Sequence, residues 1–351
     1  MFKFRTSFLN NEIGIDIGTQ NTVIYLKSQG VVINEPSVLA VRNLGRKGNK
    51  EIIAFGKEAR KMVGRTPCGI STINPLSYGV IADFEMTEHM IRHYMKAAIE
   101  GSSLFSAPRV AVCVPASVTE VEKRAVVEVT LAAGAKEAFV VEEPFAAAVG
   151  LGMPVYEPRG CMVVNIGGGT CEVAVISLGG IVINNAIRVA GNALDEAIIN
   201  MMRQNHTLAI GESTAEEIKM AIGSVLVLEQ ELSIDVKGRD LVDGLPKVIK
   251  ISSEEVRDAI DSYIIQIEDL IRTTIEQTPP ELVRDILDEG IVVTGGTALL
   301  RGLNIRLSDT LNVPVHIAEQ PLTSVAEGLG KILENPVEKS KDSITIERRD
   351  R

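Results

Sequence analysis

Short apolar, β-branched runs, each cut off by a polar residue and a glycine, alternate along this chain with stretches whose apolar positions recur at helical spacing. From residue 13 the pattern predicts a strand, a glycine turn and a second strand at 23–26. Further strands follow at 31–33, 36–41 and 52–55, then a short helix at 58–63. Residues 87–100 read as a helix, with Met90, Ile91, Tyr94, Met95 and Ala98 on one buried face. A buried strand at 110–114 ends at Pro115, and a helix at 119–133 stops at Gly134, a natural C′ residue. A strand at 139–141 leads through Glu142-Glu143-Pro144 into an Ala-rich helix at 145–150.

After Gly160 the same order begins again: strand, glycine turn, strand, then a hairpin turn at Gly179-Gly180 into 181–184. Helices are expected at 195–205 and 215–222, and a strand pair at 231–236 and 247–251. Ser252 and Glu255 form a capping box that opens a long helix to about residue 274. Strands at 290–294 and 313–317 and a helix at 324–333 close the pattern, and the charged stretch beyond 335 reads as disordered. A restart near half the chain length marks a duplicated α/β unit.

The repeat is sharpest in two glycine loops, 149 positions apart. The first reads Ile15-Asp16-Ile17-Gly18-Thr19-Gln20-Asn21-Thr22-Val23, the second Val164-Asn165-Ile166-Gly167-Gly168-Gly169-Thr170-Cys171-Glu172-Val173. Glycine turns permit positive φ and bring backbone N–H groups close to an anion. Two of them facing each other across a cleft would clamp a polyphosphate from both sides. The loops differ at one position: Asp16 in the first is matched by Asn165 in the second.

The length allows two lobes, each with its own core of Ile, Val, Leu and Ala, since Trp is absent and aromatics are few. A formal charge of −10 argues against nucleic-acid binding, which leaves a basic footprint. Cys68, Cys113, Cys161 and Cys171 have neither metal-like nor paired spacing and read as thiols in a reducing cytoplasm. The apolar stretch 162–183 is broken by Asn165, Glu172 and its glycines into strand-sized pieces, which excludes a spanning helix. No secretory signal is evident. At the N-terminus Phe2, Phe4 and Phe8, with Lys3 and Arg5 among them, suit an interfacial membrane anchor; a frayed terminus or a first strand is the alternative.

Asp16, at a strand end beside a phosphate-type loop, could hold Mg²⁺ through water, a role the paired loop favours over a turn-forming Asp satisfied by local amides. Thr19, Gln20 and Asn21 would donate to phosphate. Glu143 could position an attacking water, although acids before an Ala-rich helix also complement its dipole. Ser213 and Glu216 fit a capping box and Glu216 with Lys219 an i,i+3 pair, so spacing alone favours a structural role there. His89 and His93 have zincin spacing but lack the Glu after the first His and any third ligand, so no zinc is assigned.

Several strings together resemble the MreB family of bacterial actin homologues. They are Asp16-Ile17-Gly18-Thr19-Gln20-Asn21-Thr22, Asn34-Glu35-Pro36-Ser37, Gly79-Val80-Ile81-Ala82-Asp83-Phe84, Thr119-Glu120-Val121-Glu122-Lys123-Arg124, Glu142-Glu143-Pro144, Ile166-Gly167-Gly168-Gly169-Thr170 and Thr294-Gly295-Gly296. The resemblance extends from about residue 11 to about 335. It implies an α/β actin-like fold: two duplicated lobes, four subdomains in all, around a central nucleotide cleft. The expected division is an amphipathic membrane-binding segment (1–11), lobe I (12–145, with 320–335 returning to it), lobe II (146–319) and a charged, disordered tail (336–351).

The resemblance also implies ATP with Mg²⁺ in the cleft and polymerisation into membrane-bound paired protofilaments. These would lie at the inner face of the cytoplasmic membrane, work with the cell-wall elongation machinery and maintain rod shape. Residue by residue, it assigns the phosphates to Thr19, Gln20, Asn21, Gly168, Gly169 and Thr170. It gives the ribose and base to Glu216, Glu217, Ile218 and Lys219, and the adenosine turn to Gly295, Gly296, Thr297 and Ala298. Glu143 and Thr170 match the water-positioning pair, and Leu104 and Phe105 a second membrane contact beside Phe2, Phe4 and Phe8.

Three departures from the family pattern stand out. Asn165 replaces an aspartate, Ala190-Gly191-Asn192 stands for Gly-Gly-Asp, and Thr297 replaces a glycine. An amide keeps hydrogen bonding but loses the charge that attracts metal and the capacity to take a proton, so at most a slow ATPase coupled to polymerisation is expected. Thr297 is expected to disfavour any positive φ at its position. The alternatives are a scaffold whose filaments ignore nucleotide and a small-molecule kinase of the same superfamily. For the kinase no substrate motif is evident.

Overall fold

The computed structural model describes residues 12–27, 29–45, 50–99 and 107–334, and the backbone of 344–348. The first half runs β1 (Glu12–Ile17), β2 (Asn21–Leu26), β3 (Gly30–Pro36), β4 (Leu39–Asn43), β5 (Lys50–Phe55), α1 (Gly56–Arg60), β6 (Ile70–Ile73), β7 (Leu76–Ser77) and β8 (Val80–Ile81). It continues through α2 (Phe84–Ile99), β9 (Arg109–Val114), α3 (Glu120–Ala132), β10 (Glu137–Glu142) and α4 (Glu143–Gly150). The second runs β11 (Cys161–Ile166), β12 (Cys171–Ser177), β13 (Gly180–Ile187), α5 (Gly191–His206), β14 (Leu208–Ala209), α6 (Glu212–Ile222), β15 (Ser233–Asp240), β16 (Pro246–Ser252) and α7 (Ser253–Gln277). After these come α8 (Pro280–Glu289), β17 (Ile291–Thr294), a 3₁₀ turn (Gly296–Leu299), α9 (Leu303–Leu311), β18 (Val315–Ile317), α10 (Ser324–Glu334) and β19 (Ile344–Arg348).

The two large sheets repeat one topology. In the first lobe the order is β10-β9-β1-β2-β3, with β19 added beyond β10; in the second it is β18-β17-β11-β12-β13. Each begins as an antiparallel meander (β1-β2-β3, β11-β12-β13) and then adds two parallel strands on the side of its first strand. The glycine loops are the first hairpin of each meander, so the duplication places both at equivalent sheet ends. Smaller sheets, β5-β4-β6 and β14-β15-β16, extend the two lobes.

Each large sheet packs on helices over its own apolar core. A third core joins the lobes: Phe145, Ala146 and Ala147 of α4 and Leu329 of α10 meet Ala111 of the first sheet and Val163 and Ala174 of the second. There Gly150 and Gly328 let α4 and α10 cross with their backbones in contact. A Cβ on Gly328 would overlap the Ala146 carbonyl, and one on Gly150 the Ser324 carbonyl.

Local signals account for several ends. Thr119 with Glu122 and Ser252 with Glu255 each form a full capping box. The hairpin expected at Gly179-Gly180 turns one residue earlier, at Leu178 and Gly179, which take positive φ of 52° and 81°. The tail expected to be disordered contributes β19, antiparallel to β10; its Ile344-Thr345-Ile346 run has the β-branched character that overrides the flanking charges. Strands β6, β7, β8 and β14 and helices α8 and α9 are additions to the sequence-predicted elements. Among the described residues no helix is long and apolar enough to cross a membrane.

Candidate functional site

The two glycine loops face each other across a cavity of about 520 Å³ between the lobes, within the usual range for a ligand pocket. Asp16, Gly18, Thr19, Gln20 and Asn21 line one side and Asn165, Gly167, Gly168, Gly169 and Thr170 the other. None of these glycines has positive φ; closeness is what requires Gly18, Gly168 and Gly169. A Cβ on Gly168 would collide with Gln20, and one on Gly169 would lie 2.8 Å from Thr19 Oγ1. The Gly167 N–H donates to Thr170 O at 2.9 Å, closing the second loop, and Gly79 N–H donates to Thr19 Oγ1 at 2.9 Å, fixing the first.

Beneath the loops lies a buried acidic floor. Glu143, the first residue of α4, accepts a hydrogen bond from Asn165 Nδ2 at 3.2 Å. Glu172, opposite Asn165 in the β11–β12 ladder, is fully buried. One of its oxygens accepts the Ala116 N–H at 2.9 Å, and Oε2 has no hydrogen-bond partner among the described residues. Burial pushes the Asp16 carboxyl up to about 7 and that of Glu172 to about 8. Glu143 is raised well above the ordinary carboxylate range, by burial first and then by the charges of Glu172 and Asp16. Such a floor favours protons or a cation over three free charges.

At the other end α6 presents Glu216, Lys219 and Met220, followed by Gly223, facing Gly296, Thr297 and Leu299 of the 3₁₀ turn and the flanking Gly295 and Leu300. The capping box expected from Ser213 and Glu216 does not form: α6 starts earlier, after Gly211, and both residues fall inside it. Nor do Glu216 and Lys219 pair. Lys219 turns to Asp195 Oδ1 at 2.8 Å and to Gly191 O at 2.9 Å, while Glu216 accepts from Arg60 of the opposite lobe. The Asp195 carboxyl is raised to about 6, burial outweighing Lys219.

Thr297 is free of the strain expected of it, since its φ is not positive; the positive φ falls on Gly295. Its Oγ1 donates to Gly167 O at 2.9 Å, tying the turn to the second loop.

Most of the sequence-predicted site converges on the cavity; Glu217, Ile218 and Ala298 do not line it. Helical periodicity turns Ile218 into the second lobe's core and leaves Glu217 exposed, and Ala298 packs into that core from the 3₁₀ turn. Phe2, Phe4, Phe8, Leu104 and Phe105 lie outside the described residues. Sequence reasoning misses Asp195, Arg60 and the floor role of Glu172. Only an oddity hinted at the last, a lone acid inside an otherwise apolar strand.

Mg²⁺ characteristically takes one or two carboxylates, waters and the oxygens of a phosphate. Asp16 at the floor, with Asn165 as a neutral polar neighbour, fits a phosphate-borne Mg²⁺. Among the described residues no group of three or more metal-type side chains would hold an ion without a ligand.

The sequence model of the MreB/Mbl protein family matches residues 10–341. The chain is 48% identical over 332 residues to the cell shape-determining protein MreB of Escherichia coli K12, covering 95% of each. Its fold matches the crystal structure of Spiroplasma citri MreB5 bound to ADP with a TM-score of 0.86 at 39% identity, covering 93% of this chain and 99% of that one. The AMPPNP-bound form of the same protein matches with a TM-score of 0.85 at 38% identity, covering 94% and 99%. The fold is actin-like, and the chain belongs to the MreB/Mbl family.

Proposed function

We propose that this chain binds ATP with Mg²⁺ in the cleft between its lobes and polymerises into paired protofilaments at the inner face of the cytoplasmic membrane. There it organises cell-wall synthesis and maintains rod shape. The observation that carries this reading is the pair of glycine loops closed on each other across a 520 Å³ cavity, with an acidic floor below them. The ADP and AMPPNP held by Spiroplasma citri MreB5 support the nucleotide, and the cell-shape role of Escherichia coli MreB supports the cellular function.

Thr19, Gln20, Asn21, Gly168, Gly169 and Thr170 would hold the phosphates, Glu216 and Lys219 the ribose, and Gly295 to Thr297 the base side. Mg²⁺, when bound, would neutralise phosphate charge, with Asp16 holding it through water. Glu143 and Thr170 would position the attacking water. Because Glu143 is raised and one of its oxygens is engaged by Asn165, turnover is slow.

Electron microscopy and sedimentation of the purified protein with and without Mg-ATP test the reading. Filaments that appear with Mg-ATP and are absent without it support it. Filaments indifferent to nucleotide would replace it with a nucleotide-independent scaffold.

A further inference from the structure

Arg60 does not line the cavity, yet its guanidinium donates to Glu216, which does. Arg60 ends α1 in the first lobe; Glu216 lies in α6 of the second, 156 positions away. The pair therefore spans the cleft. The side chains are 23% and 33% exposed, which places the contact at the rim. Deeper in, Gln20 Nε2 donates to Asn192 Oδ1, a second bond between the lobes and one made by cavity-lining residues. On the second-lobe side Glu216 and Asp195 bring two acids together, with Lys219 as the single cation paired to Asp195; the charge of Arg60 reaches both acids.

We infer that Arg60 is a latch: its ion pair with Glu216 holds the lobes closed over a nucleotide and sets how long that nucleotide stays. The inference rests on the reading of the cleft as a nucleotide site. Oε2 of Glu216 faces Arg60, which leaves Oε1 to accept a ribose hydroxyl, so closure and ribose binding use different oxygens of one carboxylate. A ligand confined between the loops leaves only after this pair and the Gln20–Asn192 bond open.

Release of 1,N6-etheno-ATP, whose ribose hydroxyls are free, chased with excess ATP, measures the latch in wild type, Arg60→Ala, Arg60→Glu and Arg60→Lys. A partly exposed ion pair of ordinary strength predicts release about fivefold faster in the Ala variant. The Glu variant, which sets a third acid beside two, should be faster still, and Arg60→Lys should stay near wild type. Added salt should speed release from wild type and leave the Ala variant unchanged. Thermal unfolding midpoints should be close for all four proteins. Unchanged release in the Ala and Glu variants would overturn the latch, and so would equal acceleration in the Lys variant. Failure of wild type to bind the probe would overturn the nucleotide reading itself, a result visible without any variant.

Discussion

Asn165 donates from Nδ2 to Oε2 of Glu143 at 3.2 Å, and both side chains are buried. The amide gives the carboxyl a donor in a place where burial and two neighbouring acids already disfavour its charge. An aspartate at 165 would set a fourth acid beside Asp16, Glu143 and Glu172. That arrangement is stable only with a cation or an extra proton between the groups. The substitution thus exchanges attraction for metal against stability of the metal-free cleft.

For Asn165→Asp we expect phosphate release with Mg-ATP to rise by at least about tenfold, as metal held from both loops offsets the added charge beside Glu143. The thermal midpoint without Mg²⁺ should fall, and Mg-ATP should restore it. Equal turnover in the two proteins would show that Asn165 does not limit hydrolysis.

The floor also fixes a pH dependence. Glu172 titrates near 8 and Asp16 near 7 in the folded chain, against ordinary values of 4.5 and 3.8. Across this interval the folded protein keeps protons that the unfolded chain has already released, so stability falls as pH rises, and Glu143, raised well above the ordinary carboxylate range, adds to the fall. The slope is about 1.4 kcal/mol per pH unit for each proton retained. His93, whose imidazole is lowered by burial, works in the opposite direction at more acidic pH; measurements between about pH 7 and 8 avoid it. Over that window the thermal midpoint of the nucleotide-free protein should drop. Glu172→Gln, which keeps an acceptor for the Ala116 N–H, should flatten the decline. A midpoint independent of pH in wild type would refute the raised carboxyls.

The meanders of the two large sheets and both glycine loops are legible in the sequence because their signals are local: a β-branched run, a polar strand end, a glycine. Capping boxes at Thr119 and Ser252 are legible for the same reason. Ser213 and Glu216 show the limit of that logic, since the same spacing occurs inside a helix that begins at Glu212. Helix α9 follows Gly302 in the left-handed region and has no side-chain cap, so nothing in its sequence announces its start. The contacts that shape the site, Arg60 with Glu216, Asp195 with Lys219, Glu172 with Ala116, join positions between 24 and 156 residues apart. No periodicity carries such pairings; only the folded lobes bring them together.

Membrane attachment is tested by liposome pelleting. With Phe2, Phe4 and Phe8 changed to Ser, binding should fall, because a shallow anchor depends on apolar area laid into the interface. Changing Leu104 and Phe105 as well should lower it further. Vesicles rich in anionic lipid should bind the wild type best, through Lys3 and Arg5. Binding retained after both sets of changes would assign attachment to another part of the chain.

The crossing of α4 and α10 leads to the sharpest stability prediction. At Gly328 a methyl group would overlap the Ala146 carbonyl, and both partners are backbone in the middle of packed helices. Neither can yield without separating the helices that join the lobes, so Gly328→Ala should destabilise by at least about 3 kcal/mol, the upper range for overpacking. Helix propensity pulls the other way, since alanine is favoured over glycine by about 1 kcal/mol in a helix interior, and contact geometry outweighs it. Gly180→Ala is the control: it sits at the start of a strand without positive φ, and its Cβ would meet nothing within 4 Å. Denaturant unfolding should therefore separate the two alanine variants widely. Comparable stability in both would mean that the helices can part at the crossing without cost.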